Sequence, residues 1–317
     1  MPNIALWGAV GAIGQSIASS LRSQGQAYRV VGRDAASLQQ VFGADPLAEC
    51  VTWNPDQSAS IEAAAAGIDT LIYLVGVNYW QFELHPHLMR KTLDGAIAAG
   101  VRKILLIGTV YPYGPAQGNP VREDHPRRPN SYKGRMRLAQ EQVLWQAHAA
   151  GKIQATVLRL PDFYGPGVDK SLLHGAFQAA LQGGTANLVG PLDRPHEFVF
   201  VPDVGPVVCR LIEQPAAFGQ TWHLGGAGVT SQRQLLELIR QHGGVPFKQR
   251  VIGKTLLRLL GLFDPLLREM VEMHYLISSP LILDDSALQR LIGPLHKTAY
   301  AEGVRRTLAQ ARISQRP

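Results

Sequence analysis

Ile4-Ala5-Leu6-Trp7-Gly8-Ala9-Val10-Gly11-Ala12-Ile13-Gly14 is the stretch on which the reading of this chain turns. The apolar run from Asn3 to Trp7 reads as a buried strand, and a helical pattern over 12–24 opens directly behind the glycines. Glycine at such a turn permits a tight reversal, lets a ligand approach the backbone, and lets the helix pack closely on the strand. The first helical turn leaves backbone N–H groups unpaired at the positive end of the helix dipole, which suits a pyrophosphate. Gly8, Gly11, Ala12, Ile13 and Gly14 are therefore the expected contacts of a dinucleotide. Small residues also serve plain close packing, but the strand–turn–helix context favours the ligand.

Further along, apolar runs at 28–32, 49–53, 69–75, 102–107 and 153–159 alternate with helical patterns at 35–42, 58–66, 84–99 and 131–149. Such alternation implies a parallel sheet with right-handed crossovers and helices on both faces. The expectation is an α/β fold with a Rossmann-type doubly wound parallel sheet. Past residue 165 the pattern loosens at Gly165-Pro166-Gly167, Gly183-Gly184 and Gly190-Pro191. Residues 1–165 are read as a dinucleotide-binding domain, to which about 197–223 returns. Residues 166–317 are read mainly as a smaller substrate-binding lobe.

With 317 residues, 46% of them apolar, the chain can bury a sizeable core. The formal net charge of +7 raises the question of an anionic partner. The basic residues are dispersed (Arg22, Arg29, Arg33, Arg102, Lys103, Arg127, Arg128), whereas a nucleic-acid footprint is clustered, so no nucleic acid is expected. Cys50 and Cys209 have no neighbouring cysteine, which points to a reducing, cytoplasmic compartment and to no metal. Met1 and Pro2 lead straight into the first strand, so no secretory leader is expected. No window reaches the ~18 uninterrupted apolar residues of a membrane span, and no membrane partner is expected. His85-Pro86-His87 lacks a third ligand at a recognisable spacing and reads as a helix start.

The second strand ends Val30-Val31-Gly32-Arg33-Asp34. A carboxylate at this tip would hold the ribose 2′-hydroxyl of NAD, whereas a guanidinium fits the 2′-phosphate of NADP. Arg33 comes first, and Asp34 reads as the N-cap of the next helix. The expected cofactor is therefore NADP, with NAD the alternative.

Several landmarks follow in order: Asn54-Pro55-Asp56, Leu74-Val75-Gly76, Thr109-Val110-Tyr111-Pro112-Tyr113-Gly114, Arg159 to Gly167, Phe198 to Val204, and Trp222-His223-Leu224-Gly225. Together with the Gly-x-x-Gly-x-x-Gly turn, this series resembles the extended short-chain dehydrogenases/reductases, the group that includes NAD-dependent epimerases and dehydratases. The resemblance spans about residues 3–300. It implies Asp56 near the adenine, Leu74, Val75 and Gly76 in a cofactor loop, Pro161 and Phe163 beside the cofactor, and Thr109 as the catalytic Ser/Thr. It also implies a homodimer through the helices at 84–99 and 131–149.

The family's Tyr-x-x-x-Lys pair is where this chain departs. If Tyr132 is the family tyrosine, Met136 stands at the lysine position. If Pro129 and Glu141 set the register, the pair becomes Lys133 and Arg137, the preferred reading. Lys133 then replaces the tyrosine as proton donor, with Thr109 on the same substrate oxygen and Arg137 four residues on along the helix. The alternative is that Lys133 and Arg137 only hold the cofactor. Tyr132, Tyr111, Tyr113 and Tyr164 are other possible sources of a hydroxyl.

Tyr111, Asp162, Tyr164 and His196 are the expected substrate contacts. Sugar-nucleotide members of the family usually have Asn where Asp162 stands and tend to have Arg where His196 stands, and a carboxylate repels phosphate at short range. Arg194 nearby would compensate in part. Leu256, Leu257, Leu260, Phe263, Leu266, Met270 and Met273 read as helix-packing residues, or else as the lining of an apolar pocket. The expected function is an NADP(H)-dependent oxidoreductase acting on a small carbonyl or alcohol substrate. A sugar-nucleotide epimerase or dehydratase, or a non-catalytic NADP-binding redox-sensing module, are the alternatives.

Overall fold

A computed structural model describes residues 3–169, 171–279 and 281–314, apart from the side chains of Leu266 and Ser314. The strands are β1 (Ile4–Trp7), β2 (Tyr28–Gly32), β3 (Ala48–Thr52), β4 (Thr70–Tyr73), β5 (Lys103–Thr109), β6 (Gln154–Leu160), β7 (Asp162–Tyr164), β8 (Thr185–Val189), β9 (Phe198–Phe200), β10 (Thr221–His223) and β11 (Lys248–Ile252). The α-helices are α1 (Ala12–Ser23), α2 (Ala35–Phe42), α3 (Ser58–Ala65), α4 (Leu84–Ala98), α5 (Tyr132–Ala149), α6 (His174–Gln182), α7 (Val204–Ile212), α8 (Gln232–His242), α9 (Lys254–Leu260), α10 (Pro265–Met273), α11 (Tyr275–Ser278), α12 (Ser286–Ile292) and α13 (Tyr300–Ser314).

Seven strands form one parallel sheet in the order β3-β2-β1-β4-β5-β6-β10. Side chains alternate across it, as the two-residue period of a strand requires. Leu6 enters a core shared with α1 and α7, while Ala5 and Trp7 enter the opposite core with α3, α4 and α5. The chain leaves β1 towards β2 and β3, then crosses back to β4. That reversal opens a crevice at the carboxyl ends of β1 and β4, where open α/β sheets bind ligands.

Two boundaries differ from the sequence reading in a useful way. β4 stops at Tyr73, so Leu74, Val75 and Gly76 form a loop at the crevice, and β5 runs on to place Thr109 at its tip. The stretch 197–223 divides. Helix α7 packs on α1 and β10 joins the large sheet, whereas β9 pairs with β7 outside it. The other small pair, β8 with β11, and helices α6, α8 and α13 surround a third core that includes Phe177, Leu188, Phe198, Leu235 and Leu308.

Buried polar groups tie this frame together. Arg159 on β6 pairs with Glu141 on α5, and its guanidinium lies 4.2 Å from the Tyr113 ring centroid. Tyr113 Oη is 2.6 Å from His223 Nε2, and His223 Nδ1 is 3.2 Å from the Asp284 carbonyl. A carbonyl only accepts, so Nδ1 carries the proton and the phenol donates to Nε2. Burial and the Arg159 charge pull the His223 pKa down to about 3. This contribution to stability is present above the unfolded imidazole value and is lost as pH falls below it. Each such histidine costs about 1.4 kcal/mol per pH unit over that acid range. His223→Gln is expected to reduce the slope of unfolding free energy against pH by about that amount between about pH 6 and about pH 5, as urea titrations would read it.

Candidate active site

The Gly8–Gly14 turn is built as its spacing implies. Gly8 has φ +89°, and a Cβ there would stand 2.9 Å from Val75 Cα. Gly14 sits so close to the strand side of the turn that a Cβ would meet Ala9 O at 2.2 Å. No side chain caps α1, so its first-turn N–H groups face the crevice unclaimed. A groove of about 510 Å³ runs along this turn and is lined by Gly8, Gly11, Ala12, Ile13 and Gly14, by Leu74, Val75 and Gly76, and by Thr109, Arg137, Pro161 and Phe163. Ile107, Gly108 and the loop Gly167-Val168-Asp169 complete it, and no residue signal singled these out beyond the glycine punctuation at 165–167.

A second hollow of about 270 Å³ continues past Gly8 and Val10 to Arg33, Asp34, Ser37 and Trp53. Asp34 caps α2, accepting from Ala36 N at 3.1 Å and Ser37 N at 3.3 Å, and Ser37 Oγ also donates to it. These bonds hold its carboxyl below the usual carboxylate range. Arg33 is exposed at the rim. Asp56 corrects the sequence expectation: it lines neither hollow, and its carboxylate meets Lys91 Nζ at 2.6 Å. Trp53, braced by Trp7 at a centroid distance of 5.4 Å, takes the wall that Asp56 was expected to supply.

Beyond Thr109 the groove meets a hollow of about 50 Å³ walled by Tyr111, Asp162, His196, Leu276 and Leu281, with Thr109, Pro161 and Phe163 shared between the two. Tyr111 Oη lies 3.2 Å from Tyr79 Oη. Burial, first, and the neighbouring phenol and Asp162 charge push the Tyr111 hydroxyl well above its ordinary value, so it stays protonated at neutral pH. Asp162 Oδ2 is 2.6 Å from His196 Nε2. Arg137 borders the groove, donates to Gln140 Oε1 at 2.7 Å, and is steadied by His85 Nδ1 at 3.4 Å. His85 is thereby a neutral acceptor, its pKa drawn down to about 2 by burial and then by the Arg137 charge. Among the described residues no group of three His, Cys, Asp or Glu side chains could hold a metal.

The expected catalytic lysine lies elsewhere. Lys133 is fully buried, lines neither cavity, and donates to Glu269 and to Glu272 (Nζ–Oε2 3.0 Å) on α10, with the Tyr79 and Phe82 rings each 5.6 Å from its ammonium. Two carboxylates hold two of its three donors and it lines none of the three hollows, so it is not poised to pass a proton to a ligand. Tyr132 is 42% exposed on the outer surface and likewise outside the groove. Tyr164 is a further correction. It is buried in the third core, stacked near Phe177 and Phe200, and touches no cavity. Of the four tyrosines singled out in the sequence, only Tyr111 faces the groove's far end. In the C-terminal apolar segment Leu257 and Met273 are buried, Phe263 is 88% exposed, and none of these three lines the hollow; the Leu266 side chain lies outside the described residues.

Fold, glycine cradle and groove together define a Rossmann protein built for a nicotinamide dinucleotide. The chain belongs to the NAD dependent epimerase/dehydratase family, whose model matches residues 4–225, and so stands among enzymes. It is 26% identical over 260 residues to a dTDP-6-deoxy-L-talose 4-dehydrogenase (NAD(P)(+)) of Kitasatospora kifunensis, covering 77% of this chain and 80% of that one. It is 30% identical over 153 residues to a 2′-dehydrokanamycin reductase of Streptomyces kanamyceticus, covering 47% and 44%. The fold is similar to UDP-glucuronic acid 4-epimerase from Bacillus cereus in complex with UDP-glucuronic acid and NAD, with a TM-score of 0.82 at 16% identity over 98% of this chain and 99% of that one. It is also similar to dTDP-glucose 4,6-dehydratase from Streptomyces venezuelae with NAD bound, with a TM-score of 0.81 at 18% identity over 98% and 97%.

Proposed function

We propose that the protein carries out nicotinamide-dependent redox chemistry at a secondary alcohol or ketone carbon of a sugar or sugar nucleotide. The observation that carries this reading is the continuity of the dinucleotide groove with the hollow that holds Thr109 and Tyr111. The relatives' substrates favour sugars over the small carbonyl compound expected from sequence. Bound in the groove, the cofactor supplies or accepts a hydride. Thr109 Oγ and Tyr111 Oη then orient one substrate oxygen, and Tyr111 passes it a proton in the reductive direction. Tyr79 hydrogen-bonds the Tyr111 oxygen, and the nearby Arg137 charge favours its transient phenolate. Lys133 acts from a distance, by fastening α10 to α5. Residues 1–165 supply most of the cofactor side and much of the substrate hollow, to which 166–317 add His196, Leu276 and Leu281.

One observation favours a second reading. The hollow has room for the reacting end of a substrate only, and its wall carries the Asp162 carboxylate, which suits a small uncharged carbonyl compound better than a pyrophosphate. Oxidation or reduction of the cofactor, followed by absorbance across UDP- and dTDP-sugars, free keto-sugars and small ketones, separates the two. Turnover confined to sugars supports the proposal, and turnover confined to small ketones overturns it.

For the cofactor, the relatives' names favour NAD, while Arg33 and the capped Asp34 favour NADP. We propose that both bind, with Arg33 selecting the phosphorylated form. Arg33→Ala is expected to weaken NADPH about tenfold and leave NADH within about twofold in a fluorescence titration. Equal losses for both would remove Arg33 from this role.

A further inference from the structure

Five of the large apolar side chains that stand exposed among the described residues fall in one short segment, Leu256, Leu259, Leu260, Leu262 and Phe263. Helix α9 explains the pattern. Leu257 alone of its leucines is buried, packed with Val189, Ile252 and Ile277, so the others face outward. Leu262 and Phe263, 75% and 88% exposed, stand in the turn that leads into α10. Residues 248–268 also hold Lys248, Arg250, Lys254, Arg258 and Arg268, all exposed, against the single acidic residue Asp264.

We propose that the α9–α10 turn docks on an anionic lipid surface, Leu262 and Phe263 entering the acyl boundary while Arg250, Lys254 and Arg258 meet the headgroups. Among the described residues no helix is long and apolar enough to cross a membrane, but an amphipathic helix lying in the interface has no such length requirement. The charge decides the occupant. A second copy meeting this face by two-fold symmetry would set its cations against an identical set. Arg268 is 3.9 Å from Glu269, but Arg250, Lys254 and Arg258 have no salt bridge among the described residues. Apolar tips flanked by such cations match the combined burial and electrostatic attraction by which proteins bind anionic bilayers. The surface lies outside all three hollows, so the proposal stands apart from the proposed reaction.

The test is sedimentation of the full-length protein with vesicles of phosphatidylcholine alone or mixed with phosphatidylglycerol, alongside light scattering without lipid. Binding is expected to the mixed vesicles only, to weaken in high salt, and to fall at least about tenfold in both Leu262→Ser/Phe263→Ser and Lys254→Glu/Arg258→Glu. These side chains are exposed, and unchanged circular dichroism and NADH affinity confirm that each variant is folded. Absence of binding to the mixed vesicles, equal binding by wild type and variants, or a dimer dissolved by Leu262→Ser/Phe263→Ser would each overturn the proposal.

Discussion

Gly14→Ala is expected to raise the dissociation constant for NADH and NADPH by about a hundredfold or more and to destabilise the fold by about 1–3 kcal/mol. The added methyl would stand 2.2 Å from Ala9 O and 2.6 Å from Ala9 C and Cα, all backbone atoms of the turn. No rotamer relieves such a contact, so the turn itself must open and its N–H groups lose their common aim. Gly11→Ala provides the contrast. A Cβ there meets nothing within 4 Å, so stability should hold within about 0.5 kcal/mol. The methyl projects where a pyrophosphate would lie, and affinity should still fall by about tenfold. Calorimetric binding beside thermal unfolding separates the two effects.

Tyr111→Phe is expected to lower kcat by about a hundredfold to a thousandfold with little change in cofactor affinity. Tyr111 belongs to the small hollow and not to the dinucleotide groove, so its hydroxyl should matter to proton transfer alone. Tyr79→Phe, which removes only the hydroxyl behind it, should cost less. Lys133→Met removes a charge held by Glu269 and Glu272 and leaves those carboxylates partly buried without it, so stability should fall by about 3 kcal/mol or more. Its effect on kcat should be smaller than that of Tyr111→Phe at temperatures where it remains folded. Full turnover in Tyr111→Phe combined with lost turnover in folded Lys133→Met would return the donor role to Lys133.

What was legible in the sequence was local. The strand–turn–helix at Gly8–Gly14, the N-cap at Asp34 and the alternation through residue 160 depend on neighbours a few positions apart, and each appears within a residue or two of its expected place. The assignment of Lys133 failed for the opposite reason. Its partners lie 136 and 139 residues away on α10, and nothing at Ser131–Arg137 announces them. Asp56 and Tyr164 misled similarly, because a matching motif says where the chain passes and not which way a side chain turns. Tyr111 was one tyrosine among several until the hollow showed which of them faces the groove. Tyr79 carried no sequence signal at all.

The most direct test of the account is a titration of the purified chain with NADH and with NADPH, followed by quenching of tryptophan fluorescence. Trp53 walls the hollow beside Arg33 and serves as the native reporter. The account predicts saturable quenching with one cofactor per chain, weakened about tenfold in the folded Gly11→Ala variant. Absence of saturable binding, or identical binding curves for wild type and Gly11→Ala, would contradict it.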